Sequence, residues 1–284
     1  MTRKPRVAIV GAGSLAASLA AALRESGYTI TEIIGRDSPR SRPSARRLAA
    51  KVGARVVTDH TASLDAELLW FCVPDREIRA VALSLAPRTS RRVRFAFHSS
   101  GALTSNELAT LRKKGVSVAS VHPLMTFVPG ARPSLSGVPF AVEGDPAATR
   151  IARKIVRDLG GGSFTLAASR KAAYHAWATM TSPLLLAFLV TLEDAARAAG
   201  LTRQDARRKS LPIIRQTVAN YSGLGPEHSF SGPIIRGDVE TVATHLAVLR
   251  RHPQAFDVYV ALAQCAIRRL PVRNRKELER LLRD

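Results

Sequence analysis

Short apolar runs alternate with segments of helical periodicity through roughly the first 165 residues. Nearly every position in these runs is apolar, which is typical of parallel strands covered by helices on both faces. The pattern predicts strands at Val7–Val10, Ile30–Ile34, Arg55–Val57, Leu68–Val73, Val93–Phe97, Val116–Val121, Pro139–Val142 and Ser163–Leu166, with helices over 14–26, 44–52, 76–86, 104–114 and 146–159.

Beyond about residue 167 only helical patterns remain. They cover residues 169–199, 202–221, 238–250, 253–269 and 274–283, and Pro183 predicts a kink or break in the first of them. The sequence therefore predicts an α/β domain with a doubly wound, mostly parallel Rossmann-type sheet over residues 1–167. An all-α domain over residues 168–284 is expected to follow.

A glycine-rich turn joins the first predicted strand to the first predicted helix. Residues 11–16 read Gly-Ala-Gly-Ser-Leu-Ala, which fits the pattern G-x-G-x-x-A. Gly11 permits a tight turn, Gly13 lets the backbone approach a phosphate, and the small Ala16 allows close packing of helix on strand. Ser14 and Leu15 are the first residues of the predicted helix, whose N-terminus offers free N–H groups to an anion. We expect these five residues to bind a dinucleotide pyrophosphate.

The end of the second strand favours NADP(H) over NAD. Many NAD-binding domains place an acidic residue there for the ribose hydroxyls, whereas this chain has Gly35-Arg36-Asp37-Ser38, with Arg40 and Arg42 close behind. An arginine fork suits a 2′-phosphate, and Ser38 adds a hydroxyl donor. Asp37 leaves NAD open as the alternative, and the arginines also fit a generally basic surface.

Three later strand ends also carry features of a ligand cleft. The fourth strand ends near Val73-Pro74, the fifth in His98-Ser99-Ser100-Gly101, and the sixth in His122-Pro123. Ligands of doubly wound sheets sit beyond the carboxyl ends of the strands. We therefore expect Val73, Pro74 and Ser99 to contact the cofactor and Ser100 to contact the substrate.

Candidate catalytic residues are His122, Lys171 and His175. A histidine titrates near neutral pH and can both donate and accept a proton. Lys171 and His175 are four residues apart and share a helix face. The expected cleft lies between the domains, with His122 on the sheet side and the other two on the helical side. Structural roles, such as a strand-end hydrogen bond for His122, are the alternative.

The loop between two later helices supplies one further candidate. Arg236 stands between Ile235 and Gly237, where its guanidinium can clamp a substrate carboxylate. Asp238 is expected to cap the following helix.

Several of these segments together resemble a known family. They are GAGSLA at 11–16, FCVPD at 71–75, HSSGAL at 98–103, HPLMTF at 122–127, KAAYHAWA at 171–178 and SGPIIRGD at 231–238. The chain resembles bacterial Rossmann-like proteins whose C-terminal half is known only as a domain of unknown function. That family is similar in architecture to pyrroline-5-carboxylate reductases, prephenate dehydrogenases and deazaflavin-dependent NADP reductases. The resemblance implies an NADP-linked oxidoreductase fold with a helical, often dimer-forming second domain.

The net charge of +21 is spread along the chain, with similar excesses in both halves. We interpret it as a solvated basic surface that steers anions, with no specific nucleic-acid site. Two distant cysteines, Cys72 and Cys265, are expected to be buried reduced thiols. The longest apolar stretch, Pro183–Leu192, is too short to span a membrane, and no signal peptide is visible. The expected location is therefore the cytoplasm, with no membrane partner, and no metal-ligand spacing stands out.

Two functions remain open at this level. The favoured one is an NADP(H)-dependent oxidoreductase acting on a small, anionic carbonyl, imine or hydroxy compound. The alternative is a sensor or regulator that binds NADP(H) without turnover. The wholly apolar stretch 183–190 further predicts a homodimer formed through the helical domain.

Overall fold

A computed structural model describes residues 3–39 and 41–283 of the chain. Its strands are β1 (Val7–Val10), β2 (Ile30–Ile34), β3 (Arg55–Val57), β4 (Leu68–Phe71), β5 (Phe95–His98), β6 (Ser117–Pro123), β7 (Pro139–Gly144) and β8 (Gly162–Thr165). The helices are α1 (Ser14–Glu25), α2 (Arg42–Val52), α3 (Asp75–Leu85), α4 (Ala109–Arg112), α5 (Pro146–Asp158), α6 (Lys171–Thr181), α7 (Pro183–Ala196), α8 (Arg203–Ser229), α9 (Pro233–Arg236), α10 (Val239–Leu249), α11 (Pro253–Arg269) and α12 (Arg275–Leu281).

The strands form one eight-stranded sheet in the order β3-β2-β1-β4-β5-β6-β7-β8. The strand order reverses between β1 and β4, so the turn after β1 opens at the switch point of a doubly wound sheet. The strands β1, β4 and β5 are wholly buried, as their apolar sequences require. One apolar core lies under α1, α2 and α5, and another lies under α3 and α4.

The predicted Rossmann-type sheet is confirmed, and it contains one pair of neighbouring strands that run antiparallel. β6 and β7 are antiparallel, with His122 opposite Ala141, whereas the other paired strands are parallel. The connection between these two strands contains no crossover helix, so the chain turns back beside the strand it has just left. The predicted helix over 104–114 is a 3₁₀ turn followed by the single turn of α4.

The chain divides into two compact units at Thr179/Met180. We call residues up to Thr179 the sheet unit and those from Met180 onward the helical unit. This division falls twelve residues beyond the expected boundary at 167/168, because most of α6 belongs to the sheet unit. Lys171 and Tyr174 of α6 are buried there.

The helical unit consists of α7 to α12. Its small apolar core is built around Val242, Leu246 and Ile267. The long α8 contains a break at Gly225, whose φ of +77° is not helical. The short α9 was not predicted, since its four residues leave no periodic signal.

The expectation that no stretch is long enough to span a membrane was wrong. Residues 168–199 form a helical run that meets that criterion by length and composition alone. The sequence predicts that this helical stretch is interrupted at Pro183. The structure does place a break there, because the backbone of Ser182 has φ −128° and ψ −75°.

Both cysteines are free. Cys72 is half-buried, but Cys265 is exposed on α11, contrary to the expectation that both thiols are buried.

Candidate functional site

The turn after β1 depends on glycine at position 11. Gly11 has φ +106°, a conformation that residues with a side chain rarely adopt. A Cβ at this position would lie 2.5 Å from the Cys72 carbonyl oxygen. The Gly11 N–H donates to the Ile34 carbonyl over 2.8 Å, which ties the turn to the end of β2. Gly11 therefore shapes the loop from within the fold.

Gly13 differs from Gly11 because open space surrounds it. Its φ of −79° is accessible to any residue, and a Cβ there would meet no atom within 4 Å. Gly13 is the N-cap residue of α1 and provides no side-chain cap. The N–H groups of Ser14, Leu15 and Ala16 form the first helical turn, where helix geometry supplies no acceptor. The free space and these donors together suit an anion.

Two cavities open beside this turn. One, of about 460 Å³, is lined by six of the predicted cofactor-binding residues, which are Gly11, Gly13, Arg36, Ser38, Val73 and Pro74. The other, of about 780 Å³, includes Gly13, Ser14 and the segment Pro129–Arg132. Neither lining includes Leu15, which is half-buried, or Ala16, which is fully buried against the sheet.

The predicted recognition residues at the end of β2 already have partners. Arg36 forms an ion pair with Glu77 of α3, and its side chain remains 63% exposed. The Ser38 hydroxyl accepts the Ser41 N–H. Asp37, which favoured the NAD alternative, is paired with Arg42. Arg40 lies outside the described residues.

The side chains at the end of β5 point into the fold, which corrects two predictions. The Ser99 hydroxyl accepts the Trp70 indole N–H over 2.9 Å. The Ser100 hydroxyl donates to Asp75 over 2.8 Å and accepts the N–H groups of two following residues. Ser99 is 9% exposed and Ser100 5% exposed. Their hydroxyls therefore stabilise the turn and are not presented to a cofactor or substrate, because buried hydroxyls take protein partners.

Lys171 is a buried cation at the centre of this region. It is 2% exposed, and its Nζ donates to the Ser100 carbonyl and to the Ser120 hydroxyl, each over 2.7 Å. Burial lowers its pKa to about 8, while the carboxylates of Glu143 and Asp75 oppose that shift. The ammonium is therefore held by the turn after β5 and by the middle of β6.

His122 and His175 meet above Gly101. Their ring centroids are 6.4 Å apart. A Cβ on Gly101 would lie 2.6 Å from Cδ2 of His175 and 2.9 Å from Nε2 of His122, so only glycine fits beneath the two rings. The Nδ1 atom of His122 is 2.7 Å from the hydroxyl of Tyr174.

The expectation that His122 titrates near neutral pH was wrong. Burial, together with the charges of Lys171 and His175, lowers the pKa of His122 to about 4. Burial likewise lowers the pKa of His98 to about 4. Both imidazoles are therefore neutral at physiological pH.

The structure thus brings the three predicted catalytic residues together, but within the sheet unit. The expected arrangement placed them on two sides of a cleft between domains, and it fails because the first turns of α6 pack on the sheet ends. Tyr174 was missed by the sequence interpretation. It is three residues after Lys171, and that helical spacing was the available signal.

Arg236 belongs to the helical unit and is paired with Asp238 at 2.7 Å. Asp238 occupies the N-cap position of α10 as expected, but its carboxylate binds Arg236 and makes no side-chain cap. The guanidinium proposed as a carboxylate clamp therefore already holds a carboxylate.

Comparison with domain families divides the chain into two matches. Residues 2–123 match the Rossmann-like domain, and residues 138–266 match a domain of unknown function, DUF2520. No match is found among the curated proteins.

Three solved structures share the fold over most of the chain. A Bacteroides fragilis protein, BF3122, assigned as an NADP oxidoreductase, is 21% identical with a TM-score of 0.76 and covers 92% of this chain and 97% of its own. Protein TM1727 from Thermotoga maritima is 25% identical with a TM-score of 0.71, over 96% and 99%. A pyrroline-5-carboxylate reductase from Coxiella burnetii is 13% identical with a TM-score of 0.61, over 92% and 98%.

These matches agree with the glycine turn, the sheet order and the helical second half. The resemblance inferred from the sequence motifs is confirmed: the chain carries a Rossmann-like domain followed by a DUF2520 domain.

Proposed function

We propose that this protein is an NADP(H)-dependent oxidoreductase that acts on a small, anionic carbonyl, imine or hydroxy compound. The observation that carries the proposal is the cavity of about 460 Å³ at the switch point of the sheet. It joins the glycine turn to Arg36 and Ser38, and Gly13 leaves open space in front of the first turn of α1. The similarity to BF3122, assigned as an NADP oxidoreductase, supports the same function.

In this proposal each part of the sheet edge has a separate task. The first turn of α1 binds the pyrophosphate, and Arg36 and Ser38 bind the 2′-phosphate. NADP(H), when bound, supplies or accepts the hydride. His122 and the half-buried His175 contact the substrate above Gly101. Lys171 contributes a fixed positive charge that favours an anionic substrate and the negative charge that develops on its oxygen.

The direct test is NADPH binding followed by turnover. NADPH is titrated into the protein, and its oxidation is then followed with a panel of small keto acids and cyclic imines. Micromolar or tighter binding with turnover of one class is the expected result. Binding without any turnover would favour the sensor alternative, and no binding would reject both.

Replacing Arg36 with alanine is expected to weaken NADPH binding by about tenfold to a hundredfold. The reason is the loss of a charge-assisted hydrogen bond worth about 1.5–3 kcal/mol. NADH lacks the 2′-phosphate, so its affinity should stay within about twofold. Calorimetry with both cofactors measures the difference. Arg79→Ala is the matched control. Arg79 is an exposed arginine of α3 that also pairs with a glutamate, Glu107, but it does not line the cavity of about 460 Å³. Equal affinities of the unmodified protein for NADPH and NADH would contradict the assignment.

We also propose that the helical unit forms a homodimer. Large apolar side chains are exposed on α7 and α8, among them Leu186 at 62% and Ile213 at 68%. Others on the same helices are Leu184, Leu185, Val190, Leu211, Val218, Tyr221 and Leu224. A monomer rarely exposes so many large apolar side chains on two neighbouring helices to water. A second copy of the chain supplies an equally apolar face by symmetry.

Sedimentation at micromolar concentration is expected to give the mass of a dimer. The double variant Leu186→Glu, Ile213→Glu should sediment as a monomer. Leu83→Glu, at an exposed leucine of α3, is the control and should remain dimeric. A monomeric unmodified protein would remove the proposal.

A further inference from the structure

Tyr174 and His122 form a hydrogen-bonded pair that the proposed reaction leaves unexplained. The distance from the Tyr174 hydroxyl to Nδ1 of His122 is 2.7 Å, and the rings meet edge-on with centroids 5.5 Å apart. Tyr174 is 7% exposed and also contacts the rings of Phe164 and Trp177. Its hydroxyl is therefore held in one place by packing.

The direction of this hydrogen bond follows from counting donors and acceptors. A tyrosine hydroxyl carries one hydrogen, and burial makes an unpaired hydroxyl hydrogen costly. Among the described residues, Nδ1 of His122 is the partner found for this hydroxyl. The arrangement that pairs the hydroxyl hydrogen has Tyr174 donating and Nδ1 accepting. Burial raises the pKa of Tyr174 to about 12, so the hydroxyl keeps its hydrogen at neutral pH.

A neutral imidazole that accepts at Nδ1 must carry its proton on Nε2. The Nε2 atom of His122 lies 2.9 Å from the position that a Cβ on Gly101 would occupy. This distance is shorter than a Cβ contact allows, so the His122 ring packs directly on the Gly101 backbone. Among the described residues, Nε2 of His122 has no hydrogen-bond partner and is not one of the buried unpaired polar atoms, so its N–H is accessible to a ligand.

The nearby His98 shows the same tautomer for a different reason. Its Nδ1 faces the Ser100 N–H, which can only donate, and its Nε2 is 2.9 Å from the Thr104 carbonyl, which can only accept. Both polar atoms of His98 are therefore used within the fold. His122 has the equivalent Nδ1 contact, but its Nε2 faces Gly101.

We propose that Tyr174 is a positioning residue that holds His122 as a neutral imidazole with its proton on Nε2, so that His122 binds substrate as a fixed hydrogen-bond donor. Such a donor selects an acceptor atom, and a carbonyl oxygen is the chemistry it fits within the proposed substrate class. The charged and titratable groups around His122 are Lys171, His175 and His98. Burial and the positive charge of Lys171 both disfavour a positive charge on the His122 ring, so the donor stays neutral.

The tautomer itself is independent of the proposed reaction, while its role in substrate binding rests on that reaction. The experiment therefore reads the tautomer first. Two-bond ¹H–¹⁵N correlation spectra of protein labelled with ¹⁵N at histidine distinguish a protonated Nε2 from a protonated Nδ1. The His122→Gln variant identifies the His122 signals. At pH 7 the unmodified protein is expected to show His122 with a protonated Nε2 and a bare Nδ1.

Tyr174→Phe removes only the hydroxyl and is expected to give His122 a mixture of both tautomers. The chain offers a matched control, because His245 and Tyr259 form a second pair at 3.0 Å in the helical unit. Tyr259→Phe should leave the His122 signals unchanged. A protonated Nδ1 or an imidazolium in the unmodified protein at pH 7 would overturn the proposal, whether or not the variant folds.

The functional arm uses the NADPH-linked turnover of the best substrate in the panel. Tyr174→Phe is expected to lower kcat/KM by about tenfold, which corresponds to one hydrogen bond. NADPH affinity should not change. If NADPH does not bind at all, the proposed function fails while the tautomer result still stands. An unchanged kcat/KM in a variant with mixed tautomers would reject the role of the donor.

Discussion

Replacing Gly13 with valine is expected to weaken NADPH binding by about a hundredfold or more while the protein keeps its fold. Valine at this position fills the space in front of α1 that the pyrophosphate needs. The expected loss corresponds to about two charge-assisted hydrogen bonds at roughly 1.5–3 kcal/mol each. The fold should survive, because Gly13 has φ −79° and a Cβ there meets no atom within 4 Å. Calorimetry and thermal melting measure the two effects separately.

The control for this variant is Gly162→Val in β8. A Cβ on Gly162 would likewise meet no atom within 4 Å, and this residue lies in the edge strand of the sheet, away from the glycine turn. The control variant should bind NADPH normally. Gly11 is unsuitable for the test, since its left-handed backbone and the Cys72 carbonyl would destabilise any substitution. A folded Gly13→Val protein with full NADPH affinity would refute the cofactor site.

Replacing Lys171 with methionine is expected to reduce turnover by at least about a hundredfold, the scale of losing one well-placed electrostatic contact. NADPH affinity should stay the same, because Lys171 does not line either cavity at the glycine turn. The variant is expected to fold, since the Ser120 hydroxyl still donates to the Ser100 carbonyl over 3.1 Å and methionine fills the space of the lysine stem. Lys114→Met, at an exposed lysine after α4, is the activity control.

A pH series tests whether the Lys171 ammonium is buried. Its pKa is about 8 in the folded protein against 10.5 ordinarily. Between these values the unfolded chain still binds the proton that the folded protein has released. The free energy of unfolding therefore gains a contribution that rises with pH in this window. Denaturation at pH values of about 7.5, 8.5 and 9.5 should show the unmodified protein gaining stability relative to Lys171→Met. A constant difference would contradict a buried ammonium.

The hydrophobic pattern was sufficient to predict the sheet and the place of the glycine turn. β1, β2 and β3 have the predicted bounds, and α1 begins at the predicted residue. These elements follow from local signals: apolar runs, periodicity, and glycine where a left-handed turn is needed. The direction of β7 could not be predicted in this way, since an apolar strand has the same pattern whether its neighbour runs parallel or antiparallel.

The side-chain chemistry of the strand ends was harder to predict. A serine after a strand has the same sequence signature whether its hydroxyl faces a ligand or a buried indole, as Ser99 does. The pKa of His122 depends on burial and on Lys171, which is 49 positions away in the sequence. The pairing of Tyr174 with His122 likewise joins two distant elements. Such contacts are fixed by tertiary packing and leave little trace in local sequence.

The connection between β6 and β7 is a continuous stretch of chain that joins the region of His122 to the region of the glycine turn. It leaves β6 directly after His122 and Pro123, and its Pro129–Arg132 segment lines the larger cavity beside Gly13 and Ser14. A ligand that fixes this segment against the glycine turn leaves only five residues free between it and the end of β6. A ligand that orders the connection beside Gly13 then reduces the conformational entropy that a second ligand, beside Gly101, must still remove from the same connection. Thermodynamic linkage makes the effect mutual, so occupancy beside Gly101 and occupancy beside Gly13 should each strengthen the other.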